Sequence, residues 1–150
     1  MSITIRPITA ADRPAWAPLW QGYLEFYKVP DLAAEITDKT FARLLDDAEP
    51  VHGFVAEDEA GALLGFVHYI FHRNTWMIAD VCYLEDLFTA PQARGKGVGT
   101  ALIEAVYGAA QRRGAPRVYW LTHETNKTAQ SLYDKVAERS GFIQFRRNFA

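Results

Sequence analysis

The feature that most constrains this chain is a change of hydrophobic period across a glycine-rich segment, Gln92-Ala93-Arg94-Gly95-Lys96-Gly97-Val98-Gly99-Thr100. Upstream, residues 76–89 form the longest run of strand character, closed by Pro91. Downstream, Val98, Leu102, Ala105, Val106 and Ala109 fall on one helical face that ends at Gly114. A strand passing through such a turn into an amphipathic helix calls for a sheet with a helix laid on it. The turn has chemistry of its own. A helix N-terminus offers unpaired N–H groups and partial positive charge, glycines let an anion approach the backbone, and Arg94 and Lys96 add cations.

The rest of the chain fits that frame. Ile3 and Ile5 alternate with polar residues up to Pro7, which predicts a short opening strand. Thr9 or Asp12 can cap a helix carrying Trp16, Leu19, Trp20, Tyr23 and Tyr27, which Pro30 ends. A second helix is expected from near Thr37, with Phe41, Leu44 and Leu45 inward and Pro50 as its stop. Residues 51–57 and 63–72 read as a β-hairpin turning at Asp58-Glu59-Ala60-Gly61. After the glycine turn come a helix, a short buried strand over 117–121, and a helix opened by Asn126 with Ala129, Leu132, Tyr133 and Val136 on its apolar face. Phe142, Phe145 and Phe149 then suggest a closing strand or an extended tail. The order is β-α-α-β-β-β-α-β-α-β, an α/β (mixed α+β) fold, expected as one domain over residues 1–150.

Composition narrows function mainly by exclusion. With 150 residues, 49% of them hydrophobic, the chain can bury one sizeable core. A net charge of −2 leaves no electrostatic footprint for nucleic acid. No run approaches the roughly 20 apolar residues of a membrane span, and the opening residues lack a signal-peptide pattern. The one cysteine, Cys82, excludes an intrachain disulfide and is expected as a small buried hydrophobe. The cytoplasm is the expected compartment. His52, His68, His72 and His123 show no ligand spacing with a third donor, so no metal is expected.

The phosphate chemistry of the turn can be sorted by spacing. A P-loop requires four residues between its first glycine and Gly-Lys-Ser/Thr, which this segment lacks. The dinucleotide fingerprint fails too, because Thr100 or Leu102 stands where its last glycine belongs. The spacing Arg94-x-x-Gly97-x-Gly99 resembles instead the Gln/Arg-x-x-Gly-x-Gly/Ala signature of the GNAT acetyltransferases. The element order and the opening Ile5-Arg6-Pro7 followed by Asp12 are similar to that family as well. The resemblance implies a single GNAT domain with a twisted, mostly antiparallel mixed sheet. It also implies acetyl-CoA as co-substrate, its pyrophosphate cradled by Arg94, Gly95, Lys96, Gly97, Val98, Gly99 and Thr100. Backbone groups at Leu87, Phe88 and Thr89 would bind pantetheine, on a strand that splays in this family.

Asn126-x-x-Ala129-x-x-Leu132-Tyr133 is similar to the family's second motif, in which the Asn steadies the pantetheine arm and the Tyr hydroxyl lies near the sulfur. The chemistry is sound on the residues alone. Acyl transfer from a thioester expels a thiolate whose thiol has a pKa of about 8.5 by analogy with cysteine, and a nearby phenol can protonate it. Tyr133 equally suits a core tyrosine with a satisfied hydroxyl, and Asn126 suits a helix cap.

Glu85 and Asp86 interrupt an apolar strand, which is costly for carboxylates unless they are solvated or paired. Alternation sends them to opposite faces. An attacking amine arrives as ammonium and must lose a proton, which a carboxylate can accept directly or through water. Leu84-Glu85-Asp86-Leu87-Phe88 followed by Arg94-Gly95 resembles the diamine (spermidine/spermine and thialysine) acetyltransferase branch, and the resemblance assigns Glu85 to amine handling. The long helix end before Gly141-Phe142 looks more like the yeast histone/polyamine-type enzymes. Glu25, Tyr27, Glu85 and Asp86 are the candidate acceptor contacts. The function implied is transfer of an acetyl group to a small cationic amine by a homodimer. A peptide-lysine acetyltransferase and a non-catalytic acyl-CoA sensor stand as rivals.

Overall fold

The computed structural model describes residues 2–149, which divide after Trp120 into two compact units. In the first unit a five-stranded sheet runs in the order β1 (Thr4–Pro7), β2 (Val51–Glu57), β3 (Leu63–His72), β4 (Val81–Thr89), β5 (Val118–Tyr119). Pairing is antiparallel up to β4, and β5 joins β4 in parallel. The mixed, mostly antiparallel sheet is the one expected, and the β2–β3 hairpin keeps its expected bounds.

Helices cover both faces. α1 (Arg13–Phe26) buries Trp16, Leu19, Trp20 and Leu24, and α2 (Ala34–Leu45) buries Phe41 and Leu44. Trp16 lies 4.9 Å from Phe41 and 6.4 Å from Phe66, ring centre to ring centre, so α1, α2 and the Phe66 face of β3 share one aromatic core. The opposite face of β3 meets α3 (Val98–Arg112), whose Val98, Leu102, Ile103, Val106 and Ala110 are buried. A Cβ built on Gly65 would come within 3.3 Å of Val98 there.

Three expected boundaries move. α2 begins at Ala34, three residues before Thr37, since Ala34, Glu35 and Ile36 all suit a helix and Glu35 favours its first turn. β4 begins at Val81 and not at 76. The Asn74 side chain accepts the Trp76 N–H at 2.8 Å and Arg73 pairs with Asp80 at 3.1 Å, closing residues 73–80 as a turn that exposes Trp76 and Ile78. β5 is two half-buried residues instead of a buried strand over 117–121, because it forms the sheet edge and pairs only with Cys82 and Tyr83.

In the second unit α4 (Lys127–Val136) starts at Asn126, whose side chain accepts the Ala129 N–H at 3.4 Å. No strand follows α4 among the described residues. Gly141 adopts a left-handed φ of 87° and Phe142, Phe145 and Phe149 are exposed, so the segment is the extended tail. No helix among the described residues is long and apolar enough to cross a membrane.

Candidate active site

The glycine turn has the geometry its sequence requires. Gly95 and Gly97 sit at φ 76° and 84°, where an L-residue is strained, and a Cβ on either would meet nothing within 4 Å. Gly97 is the N-cap of α3 and brings no side chain to cap the first turn. The N–H groups of Val98, Gly99 and Thr100 therefore face the turn without a side-chain cap, beside the cationic Arg94 and Lys96. An open backbone, uncapped donors and positive charge fit the pyrophosphate of a coenzyme A. Arg94 itself folds back, its Nε donating to the Thr89 carbonyl at 3.1 Å and its guanidinium lying 5.5 Å from the Phe88 ring centre.

β4 leads into this turn with one edge open. Its pairing with β5 ends at Tyr83, so from Leu84 to Thr89 it has no strand neighbour on that side among the described residues. Leu87, Phe88 and Thr89 lie on this open stretch, still paired with β3 through Val67, Phe66 and Gly65. A groove between α1 and the end of β4 is lined by Glu25, Phe88 and Arg94, which unites three of the residues singled out by sequence.

The carboxylates depart from simple alternation. His68 pairs with Asp86 while the next residue, Tyr69, pairs with Leu84, so Glu85 is the extra residue of a β-bulge. The bulge resets the faces: Leu84 follows Tyr69 toward α3, and Asp86 follows His68 toward α1. Glu85 is exposed, and its charge acts on Tyr23 and His68, the two side chains that hold Asp86. The inserted residue breaks the regular alternation that would send the two acids to opposite faces: Asp86 points toward α1, and the Glu85 charge acts on the groups around it. Desolvation first, and Asp86 second, push the Glu85 carboxyl above its ordinary pKa.

Asp86 is buried and occupied. The Tyr23 hydroxyl donates to its Oδ1 at 2.5 Å, and His68 Nδ1 lies 2.9 Å from its Oδ2. Trp16 Nε1 donates to His68 Nε2 at 3.1 Å. Indole N–H can only donate, so His68 Nε2 accepts and Nδ1 carries the hydrogen that Asp86 receives. Trp16, His68, Asp86 and Tyr23 thus form one directed chain linking α1, β3 and β4. Burial and the Asp86 charge hold the Tyr23 phenol far above its usual pKa, keeping it a donor. Tyr27, the α1 C-cap, packs its ring tilted at 50° against Tyr23, centre to centre 4.9 Å, and its phenol pKa is raised by the same two causes.

Trp16, Tyr23 and His68 hold Asp86 in place, a role the sequence alone did not assign to them. One signal was available: His68 stands at an inward position between Phe66 and Ile70, and a buried imidazole demands partners. Asn126 and Tyr133 lie in the second unit, with Asn126 capping α4 and Tyr133 nearer its C-terminal end, its carbonyl accepting the Ala137 N–H. Cys82 is buried and its thiol is pushed up to about 12 by desolvation, as suits a structural cysteine.

Residues 16–137 match the profile of the Acetyltransferase (GNAT) family. The chain is 40% identical over 147 residues to the D-amino-acid N-acetyltransferase HPA3 of Saccharomyces cerevisiae, covering 97% of this chain and 91% of that protein. It is 30% identical over 130 residues to the thialysine N-epsilon-acetyltransferase of Caenorhabditis elegans, covering 81% and 77%. Among solved structures, AAC(6')-Iy in complex with the bisubstrate analog CoA-S-monomethyl-acetylneamine superposes with a TM-score of 0.85 over the whole of both chains, at 21% identity, and shares the fold. With its glycine turn, its open β4 edge and a family match over most of its length, this chain belongs to the GNAT family of N-acetyltransferases.

Proposed function

We propose that the protein uses acetyl-CoA to acetylate the primary amine of a small cationic acceptor, an amino acid, diamine or polyamine, by direct transfer. The observation that carries this reading is the bulged Glu85, an exposed carboxylate with a raised pKa, one strand-end away from a Gly97-capped helix that fits a pyrophosphate. The names of two relatives, a D-amino-acid and a thialysine acetyltransferase, favour amino-acid amines.

Bound acetyl-CoA would supply the acetyl group as a reactive thioester. Residues 94–100 hold its pyrophosphate, with Asn126 and the open backbone at Leu87, Phe88 and Thr89 along the pantetheine arm. Backbone N–H on that strand polarises the carbonyl. Glu85 attracts the ammonium and accepts the proton that the amine must lose, directly or through one water. Tyr133 donates its hydroxyl proton to the departing sulfur. Glu25 and Tyr27 line the acceptor side. Asp86, with both oxygens engaged, shapes that side from beneath. The working form is a cytoplasmic homodimer, which native mass measurement tests for its stoichiometry.

The decisive experiment is thiol release from acetyl-CoA across D- and L-amino acids, thialysine, polyamines and basic peptides. Turnover is expected with at least one small amine. No turnover with any acceptor, together with no coenzyme A binding, overturns the proposal. Glu85→Gln is expected to lower kcat by about a hundredfold or more and to remove the acidic limb of the pH profile. That limb lies above the ordinary carboxylate range in the unmodified protein, because the base works only once ionised and its pKa is raised. Tyr133→Phe should reduce kcat with little change in coenzyme affinity, and equal kcat would remove it as the acid.

A further inference from the structure

At the far end of α3 the sheet carries a second concavity. A surface pocket of about 330 Å³ is lined by His52, Tyr69, Phe71, Ala109, Arg112 and Arg113. The 15 residues of α3 separate it from Gly97 by about 22 Å. It is therefore not part of the glycine turn.

The pocket floor is aromatic. His52 and Tyr69 stack with ring centres 5.4 Å apart, and Phe71 meets each edge-on at 5.6 and 5.8 Å. The Arg113 guanidinium lies over Phe71 at 4.2 Å and donates one N–H to His52 Nε2 at 3.3 Å. A guanidinium only donates, so this nitrogen of His52 is unprotonated. Burial first, and the Arg113 charge second, keep the His52 pKa low.

What the residues lack is an anion. Among the described residues neither Arg112 nor Arg113 forms an ion pair. Asp47 influences His52 through its charge without pairing with either arginine. Tyr69 is only 6% exposed, and no hydrogen bond engages its hydroxyl, while both arginine charges act on it. A helix C-terminus explains cations at this place. It does not explain a phenol whose ring is packed into the pocket floor while its hydroxyl, without a protein partner, opens to solvent beside both charges.

We propose that this pocket is a second anion-binding site, taking the carboxylate or phosphate group of a small molecule. Arg112, Arg113 and the Tyr69 hydroxyl donate to the oxygens, and the His52–Phe71 floor carries the body of the ligand. Binding draws Arg113 off His52 and offsets its charge. The groups facing His52 are Tyr69 and Phe71 from β3, Arg112 and Arg113 from the end of α3, and Asp47 from the α2–β2 connection. With the arginine neutralised, His52 protonates at higher pH, so the anion binds more tightly as pH falls through that titration.

The test uses the whole protein saturated with coenzyme A, so that the glycine turn is filled. Inorganic phosphate and, separately, benzoate are titrated while the His52 imidazole and the Arg113 Nε–H are followed by NMR. A saturable shift with millimolar Kd for either anion, and an upward move of the His52 pKa, is expected. Tyr69→Phe with Arg113→Gln should weaken it by about tenfold or more. Arg112→Gln, which removes no existing hydrogen bond, serves as the second variant should that pair fail to fold. Linear, non-saturating shifts for both anions, unchanged affinity in the variants, or loss of binding once coenzyme A is present would each overturn the site.

Discussion

His68 shows how much a single side chain decides here. It is 2% exposed, accepts from Trp16 and donates to Asp86, and its partner Asp86 closes the bulge that presents Glu85. The arrangement satisfies every polar atom in the chain from Trp16 to Tyr23, which is what makes a buried carboxylate tolerable. Replacing His68 with leucine strands the indole N–H and one Asp86 oxygen without partners. The expected cost is about 3–5 kcal/mol, read as a lowered urea midpoint. A loss below about 1 kcal/mol would show that water replaces the imidazole, and the bulge would then need another anchor. The same side chain marks a limit of sequence reading. His68 is conspicuous among Phe66 and Ile70, yet its partners lie 18 and 52 residues away.

At the scale of elements, the turn into α3 and the bulge in β4 divide the labour. The turn is a local device, legible because Gly95 and Gly97 sit where the backbone must be left-handed. Gly97→Ala is expected to cost about 1–2 kcal/mol from φ alone, since a Cβ there meets nothing within 4 Å, and to weaken coenzyme A binding in calorimetry. Gly61, at φ 83° in the β2–β3 turn and equally open, supplies the contrast. Gly61→Ala should lower the melting temperature comparably while leaving coenzyme affinity unchanged. If both variants bind coenzyme A alike, the turn's conformation is not what receives it. The bulge, by comparison, is invisible in the residues of β4, because it is a mismatch of register with β3 and not a property of either strand.

For the molecule as a whole, the first unit is tied at its open edge by charge. Arg6 on β1 pairs with Asp12 at 2.8 Å and with Glu57 on β2 at 3.1 Å, joining strand, helix start and hairpin. Asp12 also accepts the Thr9 N–H at 2.7 Å. The Arg6 hydrogen bond, as the largest cause, holds the Asp12 carboxyl below the usual range. A depressed carboxylate pKa gives stability that is present above the unfolded pKa and is lost as pH falls through the folded one. Asp12→Asn should therefore cost about 1–2 kcal/mol at neutral pH, discounted for the partial exposure of Arg6, with the gap to wild type closing below about pH 4. Urea unfolding at the two pH values tests this, and a gap independent of pH would exclude the ion pair as its source.

Local chemistry was enough for much of this protein. Period, turn residues and caps identified the hairpin over 51–57 and 63–72, the helix after Gly97 and the Asn126 start of α4, because each depends on residues a few positions apart. The motif spacing around Arg94, Gly97 and Gly99 named the family for the same reason. The tertiary structure alone decided how the carboxylates are held. Strand alternation is blind to an inserted residue, so the bulge at Glu85 emerged only from the pairing of β4 with β3. The burial of Asp86 under Tyr23 and His68, and the meeting of Tyr69 with two arginines in one pocket, likewise depend on side chains brought together from distant parts of the chain.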